Sequence, residues 1–308
     1  MDELTQVRGL RSDAPRPDRG RLAPGRQKLM DVARRGGRAR RLRTDWRLAT
    51  VGAVAALTVT ALLGSRLWGG DQVKPGAQPV VTVQLGDAKD VLEHAADVVA
   101  GQHAPTPHAG QWVYELTKEA NRTDEETPVS EHSHWAKYAD PTFENGKMGD
   151  DYSPRKRYQF LADLPDDPEA VKKKARVFYP SGNETQAQHD LRALTILAQS
   201  YPAPPKGLAA VYRAMATIPG LKAANTTDLL GRDTIDVYLP QKSAGAYPLR
   251  HDFLIDSTTY AYVGTRAIAQ SDNHDKGGKF GDSWKKGDVI IDLARKQIAL
   301  VDRNGERP

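Results

Sequence analysis

The feature that most constrains this chain is the uncharged apolar stretch Leu48 to Gly64, LATVGAVAALTVTALLG, which contains no proline. A helix rises about 1.5 Å per residue and needs about 20 mostly apolar residues to cross about 30 Å of hydrocarbon. Trp46 and Trp68 flank the stretch and, in a helix, would lie about 33 Å apart, at the two headgroup regions that indole rings favour. Arg66 lies near one end, where its long side chain can reach water. The sequence therefore predicts one transmembrane helix over residues 48–68.

Two other interpretations of this stretch fit less well. A cleaved secretory signal has a short basic region and small residues at its cleavage site, whereas here 47 residues precede the apolar core and LWGG follows it. The same objection applies to a twin-arginine signal at Arg40-Arg41. A buried helix of a soluble core would rarely carry basic residues crowded on one side only.

The basic residues also predict the orientation of the helix. Seven arginines lie between positions 34 and 47, whereas only Arg66 and Lys74 are near on the other side. Because cytoplasmic flanks are enriched in Lys and Arg, the N-terminus is predicted to be cytoplasmic and the C-terminal part extracytoplasmic. The predicted location is the cell membrane, with a single pass.

The net charge of +5 is distributed unevenly along the chain. Residues 1–47 hold 14 Lys and Arg against 6 Asp and Glu, a net +8, while Arg66 adds one charge and the part beyond it carries 29 basic and 33 acidic residues, a net −4. Topology and attraction to anionic lipid explain the basic arm. No nucleic-acid partner is predicted. The absence of cysteine excludes disulfides, thiolate nucleophiles and Cys-ligated zinc.

The chain is expected to have four parts. A cytoplasmic basic arm, 1–47, contains two short amphipathic helical pieces, each too short to be stable alone in water. The transmembrane helix, 48–68, and a Gly/Pro-rich linker, 69–82, lead to one extracytoplasmic domain, 83–308. Two roles for the arm stay open: docking into the groove of a cytoplasmic partner, and a disordered tether at the membrane surface.

The outer domain is predicted to be α+β with an antiparallel sheet, because strand patterns come first, helical patterns follow, and strand patterns return. Helices are expected near 87–100, 166–176, 187–201 and 205–218. Early strands are expected in QWVYELTK, SEHSHWAKYA and RKRYQF. Late strands are expected in DTIDVYLP, in the hairpin RHDFLIDSTTYAYVGTRAIA, and in DVIIDLARKQIALVD.

No arrangement typical of an enzyme or a metal site is visible. His132 and His134 are two apart and would share one face of a strand, as metal ligands can, but no third ligand accompanies them and an exposed strand edge explains them better. Ser283 in Gly281-Asp282-Ser283 has no partner His downstream, so a nucleophile is not favoured. Lys172, Lys173 and Lys174 are most simply the solvated face of a helix. The protein is expected not to be an enzyme, with no catalytic, cofactor-binding or metal-ligating residues and no cofactor.

Aromatic residues concentrate in the early part of the domain. They are Trp112, Tyr114, Trp135, Tyr138, Tyr158, Phe160, Phe178 and Tyr179. Most are expected in the core. The alternative is an apolar groove on a curved sheet that accepts a lipid, a peptide or a protein partner.

Several motifs together carry a resemblance: MDELTQVRGLRSDAPRPDRGRLAPGRQKLM before the basic flank, then GQWVYELT, LADLPDDPEAV, LAAVYRAMATIPG and HDFLIDSTTYAYVGTR. With them the chain resembles an actinobacterial family of single-pass membrane proteins of unassigned function, often encoded beside RNA polymerase sigma factors. The outer domain also resembles sigma-regulatory sensor and lipoprotein-carrier domains, in which a curved antiparallel sheet packs on helices. Membrane anti-sigma factors often carry a His/Cys zinc motif in the cytoplasm, and residues 1–47 contain neither His nor Cys.

Two functions are compatible with this organisation. The first is a membrane-anchored sensor or regulator without catalytic activity, whose outer domain binds an apolar ligand or a protein and whose arm binds a cytoplasmic protein such as a sigma factor. The alternative is a tethered cell-surface carrier or binding protein for an apolar ligand or an envelope component. Both require the lipid bilayer as a partner.

Overall fold

The structure is a computed structural model that describes residues 83–85, 88–122, 129–144, 151–180, 184–240, 249–273 and 284–308. All of them belong to one of the chain's two units, Asp71–Pro308. The predicted arm, transmembrane helix and linker, residues 1–82, lie outside the described residues. Among the helices that the structure describes, none is long and apolar enough to cross a membrane.

The described residues form an α+β fold with an antiparallel sheet, which confirms the predicted class. The helices are α1 (Ala88–Ala100), α2 (Pro154–Ala162), α3 (Pro168–Phe178), α4 (Gln186–Ala198) and α5 (Pro205–Ala216). The strands are β1 (Val83–Gln84), β2 (Trp112–Asn121), β3 (Val129–Lys137), β4 (Lys222–Thr227), β5 (Asp233–Tyr238), β6 (Leu249–Asp256), β7 (Tyr262–Ala269) and β8 (Val289–Val301). They lie in the order β1-β4-β5-β6-β7-β8-β2-β3.

Local capping explains where three of the helices begin. The Asp167 carboxylate accepts a hydrogen bond from the Ala170 amide at 2.7 Å, and Pro168 occupies the first helical position of α3. Thr185 and Gln188 form a capping box at the start of α4. Helix α5 begins on Pro205. These helices, together with α1, confirm the predictions near 87–100, 166–176, 187–201 and 205–218.

The prediction of a strand in RKRYQF was wrong, because these residues belong to α2. Ser153 caps the helix by accepting a hydrogen bond from the Lys156 amide at 3.1 Å, and Pro154 at the first position has the fixed φ that a helix start requires. This local signal outweighs the strand preference of the aromatic residues Tyr158 and Phe160. The other predicted strands lie in β2, β3, β5, β6, β7 and β8.

The main hydrophobic core lies between the helices and one face of the sheet. Alternate strand residues face it, and Ile235 and Val237 of β5 are paired with Ile255 and Phe253 of β6. From the helices come the fully buried side chains of Leu92, Leu161, Leu194, Leu197, Tyr212 and Met215. Because strand side chains alternate, the residues between them point to the opposite face.

That opposite face shows that the sheet is strongly curved. Arg266 of β7 donates hydrogen bonds to the Thr226 hydroxyl at 3.3 Å and to the Thr227 carbonyl at 2.8 Å, both on β4. Since β4 and β7 are three strand positions apart, a flat sheet would separate them by about 14 Å. One arginine side chain bridges them because the sheet curls around it.

Close packing of α5 on α2 fixes the position of the small helices. A Cβ at Gly207 would lie 2.2 Å from the carbonyl oxygen of Leu161, so only glycine allows the two backbones to approach this closely. The same helix α5 contacts α3 and α4. Helices α2 and α3 thus both pack on α5, and the rings of Phe160 on α2 and Phe178 on α3 are stacked.

Candidate functional site

The histidines singled out from the sequence lie on an exposed strand. His132 and His134 are both exposed on β3, whose only paired neighbour in the described sheet is β2. His132 Nε2 lies 2.8 Å from the Ser130 hydroxyl. No group of three His, Cys, Asp or Glu that could hold a metal ion occurs among the described residues. Ser283 lies outside them.

The curved face of the sheet carries a set of buried charges that the sequence did not reveal. Asp252, Arg266 and Asp292 are directly opposite one another on β6, β7 and β8. Arg266 donates to Asp292 at 2.7 Å, and Arg250 forms two hydrogen bonds to Asp252, at 2.5 and 2.6 Å. Because these charges mostly bind one another, their arrangement is that of a structural network.

The carboxyl group of Asp236 has fewer hydrogen bonds and a more distant cation than the other carboxyl groups of this network. It is 1% exposed, its Oδ1 accepts no hydrogen bond from the described residues, and Arg250 approaches its other oxygen only to 3.7 Å. Burial, together with the charge of neighbouring Asp252, raises the pKa of Asp236 well above its usual range. In its neutral form, Asp236 can donate a hydrogen bond to Asp252.

This pKa predicts a distinct pH dependence for the Asp236→Asn variant. A carboxyl whose pKa is higher in the folded than in the unfolded protein stabilises the fold while it is protonated. This stabilisation is complete below the pKa of Asp in the unfolded chain, about 3.9, and is lost as the pH rises through the pKa of Asp236 in the folded protein. Asn stays neutral and can still donate to Asp252. We therefore expect the free energy of unfolding of the variant to increase relative to that of the wild type as the pH rises. Urea titrations between pH 5 and 9 measure this difference.

The matched control is Asp97→Asn, since Asp97 is an exposed carboxylate paired with Arg213 on the surface. Its difference from the wild type should change little over the same pH range. An Asp236→Asn variant that loses stability relative to the wild type as pH rises would contradict the assignment of the proton to Asp236.

Among the described residues, a groove lies between α2 and α3, and we call it the aromatic groove. It has a volume of about 620 Å³ and is lined by Glu144, Tyr152, Lys156, Phe160, Lys173, Lys174, Val177 and Phe178. Phe178 stacks with Tyr152 at 4.0 Å between ring centroids and with Phe160 at 4.1 Å. These three rings remain partly exposed, and Val177 is 78% exposed. The rings pack partly against the main core, and the groove exposes the rest of their surface together with Val177.

The rim of the aromatic groove is cationic. Glu144 is already engaged: burial disfavours its charge, but hydrogen bonds from Ser153 and Arg155 outweigh this effect and hold its pKa below the usual range. Lys174 donates to the backbone carbonyl of Asp163 at 2.8 Å. Lys156 and Lys173 make no ion pair with any residue that the structure describes. The groove thus combines an apolar floor with positive charge at its edge.

The aromatic residues expected in the core differ in their burial. Tyr114, Tyr138 and Tyr179 are buried, as expected for core residues, and burial raises the pKa of Tyr138 to about 12. Phe160 and Phe178 instead line the groove. This groove lies between two helices, whereas the groove considered from the sequence lay on the curved sheet.

Two further residues of this region differ from the sequence interpretation. Tyr152 completes the aromatic stack, although no periodic pattern includes it. Lys173 and Lys174 are exposed as predicted, but Lys172 is 4% exposed and pairs with Glu169 at 2.6 Å. The three lysines therefore do not form a single solvated face, and only two of them lie at the groove.

The aromatic groove can bind an amphiphile, since apolar rings and unpaired ammonium groups recognise the two halves of such a molecule. Comparison of the chain with protein-family models, with curated proteins and with solved structures finds no match.

Proposed function

We propose that this protein is a membrane-anchored, non-enzymatic sensor or regulator whose outer domain binds a ligand in the aromatic groove. Residues 48–68 cross the membrane, residues 1–47 bind a cytoplasmic protein, with a sigma factor as the candidate, and residues 83–308 lie outside. The observation that carries the binding role is the solvent-facing stack of Tyr152, Phe160 and Phe178 with lysines at its edge.

The three stacked rings pack against the main core, yet part of each ring stays accessible to solvent. Each ring would bury more apolar area inside the fold, and contiguous exposed apolar surface is typical of binding sites. The volume of about 620 Å³ lies within the range of about 300–1,000 Å³ that small-molecule sites occupy. These properties support ligand binding by the outer domain.

The regulatory part of the proposal is supported by the organisation of the sequence. The apolar stretch separates a +8 arm from a −4 domain, and the motifs that resemble the sigma-associated family cover both sides. A single helix can transmit a signal by changing its association, tilt or depth, and the small residues Gly52 and Ala56 permit close helix contact.

The groove also supports a second function, a tethered carrier or binding protein that uses the arm as an anchor only. Such a protein needs the groove and the membrane but no cytoplasmic partner. The two proposals therefore differ in what residues 1–47 do.

Co-isolation from membranes separates the two functions. The tagged full chain, a variant without residues 1–47, and a variant with an unrelated transmembrane helix are purified after in-cell crosslinking, and RNA polymerase sigma factors are quantified by mass spectrometry. The regulator predicts that one sigma factor is enriched with the full chain and lost with the deletion. If neither the deletion nor the helix exchange changes the recovered cytoplasmic proteins or the cellular phenotype, the regulator is excluded and the carrier remains.

A further inference from the structure

The chemistry of the aromatic groove identifies a class of ligand. We propose that the groove binds a free fatty carboxylate, with the alkyl chain on the stacked rings and the carboxylate among the lysines. This inference rests on the proposed function, in which the groove is the ligand site of the outer domain.

The apolar half of the ligand follows from the floor of the groove. The rings of Tyr152, Phe160 and Phe178 form a stacked column, and Tyr179 supports it with edge contacts at 4.9 Å to Phe178 and 5.8 Å to Tyr152. Tyr179 itself is 1% exposed, so the column is anchored in the core. The surface that remains in contact with water is apolar and rigid. An alkyl chain gains free energy there by leaving water, and it needs no hydrogen bond.

The polar half of the ligand follows from the charges at the edge. Lys156 on α2 and Lys173 on α3 line the groove, and neither forms a salt bridge with a described residue, although the charge of Lys156 also acts on Glu144. Lys174 is bound to a backbone carbonyl, which leaves its positive charge uncompensated. The single acidic residue in the lining, Glu144, is paired with Arg155 at 3.2 Å. The net charge of the groove is therefore positive, which complements an anion.

The size of the groove and the type of its cationic side chains restrict the class of ligand further. A stable protein interface uses about 20–30 residues on each side, whereas eight residues line this groove. Phosphate groups favour the forked donors of arginine, and the nearby Arg155 is occupied by Glu144. The remaining cations of the groove are lysine ammonium groups, which act as compact point charges and can bind a carboxylate. A single-chain fatty acid meets these conditions.

Photocrosslinking of the full chain tests the inference. The protein is placed in phosphatidylcholine nanodiscs and exposed to a dodecanoate with a diazirine at the end of its chain, and the crosslinked peptides are mapped by mass spectrometry. We expect saturable labelling within residues 152–178 that unlabelled dodecanoate abolishes and dodecyltrimethylammonium, with a chain of equal length, does not. Labelling spread over the domain, labelling without saturation, or equal competition by the cationic amphiphile would overturn the proposal.

Charge reversal at the rim provides the matched test. The double variant Lys156→Glu/Lys173→Glu should weaken dodecanoate binding by about tenfold or more, since attraction becomes repulsion. Lys222→Glu, an exposed position on β4, should bind like the wild type. All variants are checked by circular dichroism, because a loss of binding counts only in a folded protein. Equal binding by the double variant and the wild type would contradict the inference.

Two further measurements distinguish binding of a fatty acid from binding of membrane lipid and from failure of the proposed regulatory function. If nanodiscs of phosphatidylglycerol abolish the labelling as dodecanoate does, the groove binds membrane lipid and the fatty-acid proposal fails. Sigma-factor co-isolation is measured without added dodecanoate. If the wild-type chain does not bind dodecanoate but a sigma factor is still co-isolated with it, the proposed ligand class is refuted and the proposed regulatory function is not.

Discussion

Replacing Arg266 by Ala is expected to lower the free energy of unfolding of the folded domain by about 3–5 kcal/mol, because the change breaks a buried ion pair and leaves its partner uncompensated. Arg266 is 3% exposed and is hydrogen-bonded to Asp292, Thr226 and Thr227. Burial already raises the pKa of Asp292, and the charge of Arg266 opposes this rise. Without the arginine, one carboxyl loses its counter-charge and two strands lose their bridge.

Urea unfolding of the full chain in lipid nanodiscs, followed by near-ultraviolet circular dichroism, measures this loss. Arg213→Ala is the control, since Arg213 also pairs with an aspartate, Asp97, but at the surface, where such pairs contribute about 0–1 kcal/mol. If both variants unfold at nearly the same urea concentration, the bridge across the curved face does not stabilise the fold.

Replacing Leu92 by Ala is expected to cost about 2–5 kcal/mol, the usual range for a fully buried leucine. Leu92 is 0% exposed, and α1, which carries it, packs against α5. This helix is the first described helix and follows the short strand β1. The same urea titration measures the effect.

Val177→Ala is the control for Leu92→Ala, because it shortens an apolar side chain in a helix at a position that is 78% exposed. It should change the stability by no more than about 0.5 kcal/mol. A Leu92→Ala variant as stable as the wild type would mean that α1 is not part of the core and that the domain begins later than residue 83.

The parts of the fold that the sequence predicted are those governed by local chemistry. Asp167 followed by Pro168 marks a helix start wherever it packs, and alternation in β6 and β7 marks a hairpin. The error at RKRYQF has the same origin, since Ser153 and Pro154 were a capping signal that the aromatic residues obscured. Ser153 followed by Pro154 is a helix-start signal that predicts α2.

The buried charges could not be predicted in this way. In DTIDVYLP the alternation makes Ile235 and Val237 core residues and places Asp236 on the other face, where an aspartate is normally hydrated. Asp236 is buried because the sheet curls, and curvature depends on the register and twist of strands that are far apart in sequence. The aromatic groove depends likewise on the close approach of α5 to α2 at Gly207.

The absence of cysteine from the chain permits a direct test of the central claim, that the groove faces the outside of a membrane-anchored protein. Single variants Val177→Cys and Thr44→Cys are expressed in cells and treated with a membrane-impermeant maleimide before and after permeabilisation. The proposed topology predicts labelling at position 177 in intact cells and labelling at position 44 only after permeabilisation. Labelling at position 44 in intact cells, with position 177 protected until permeabilisation, would contradict it.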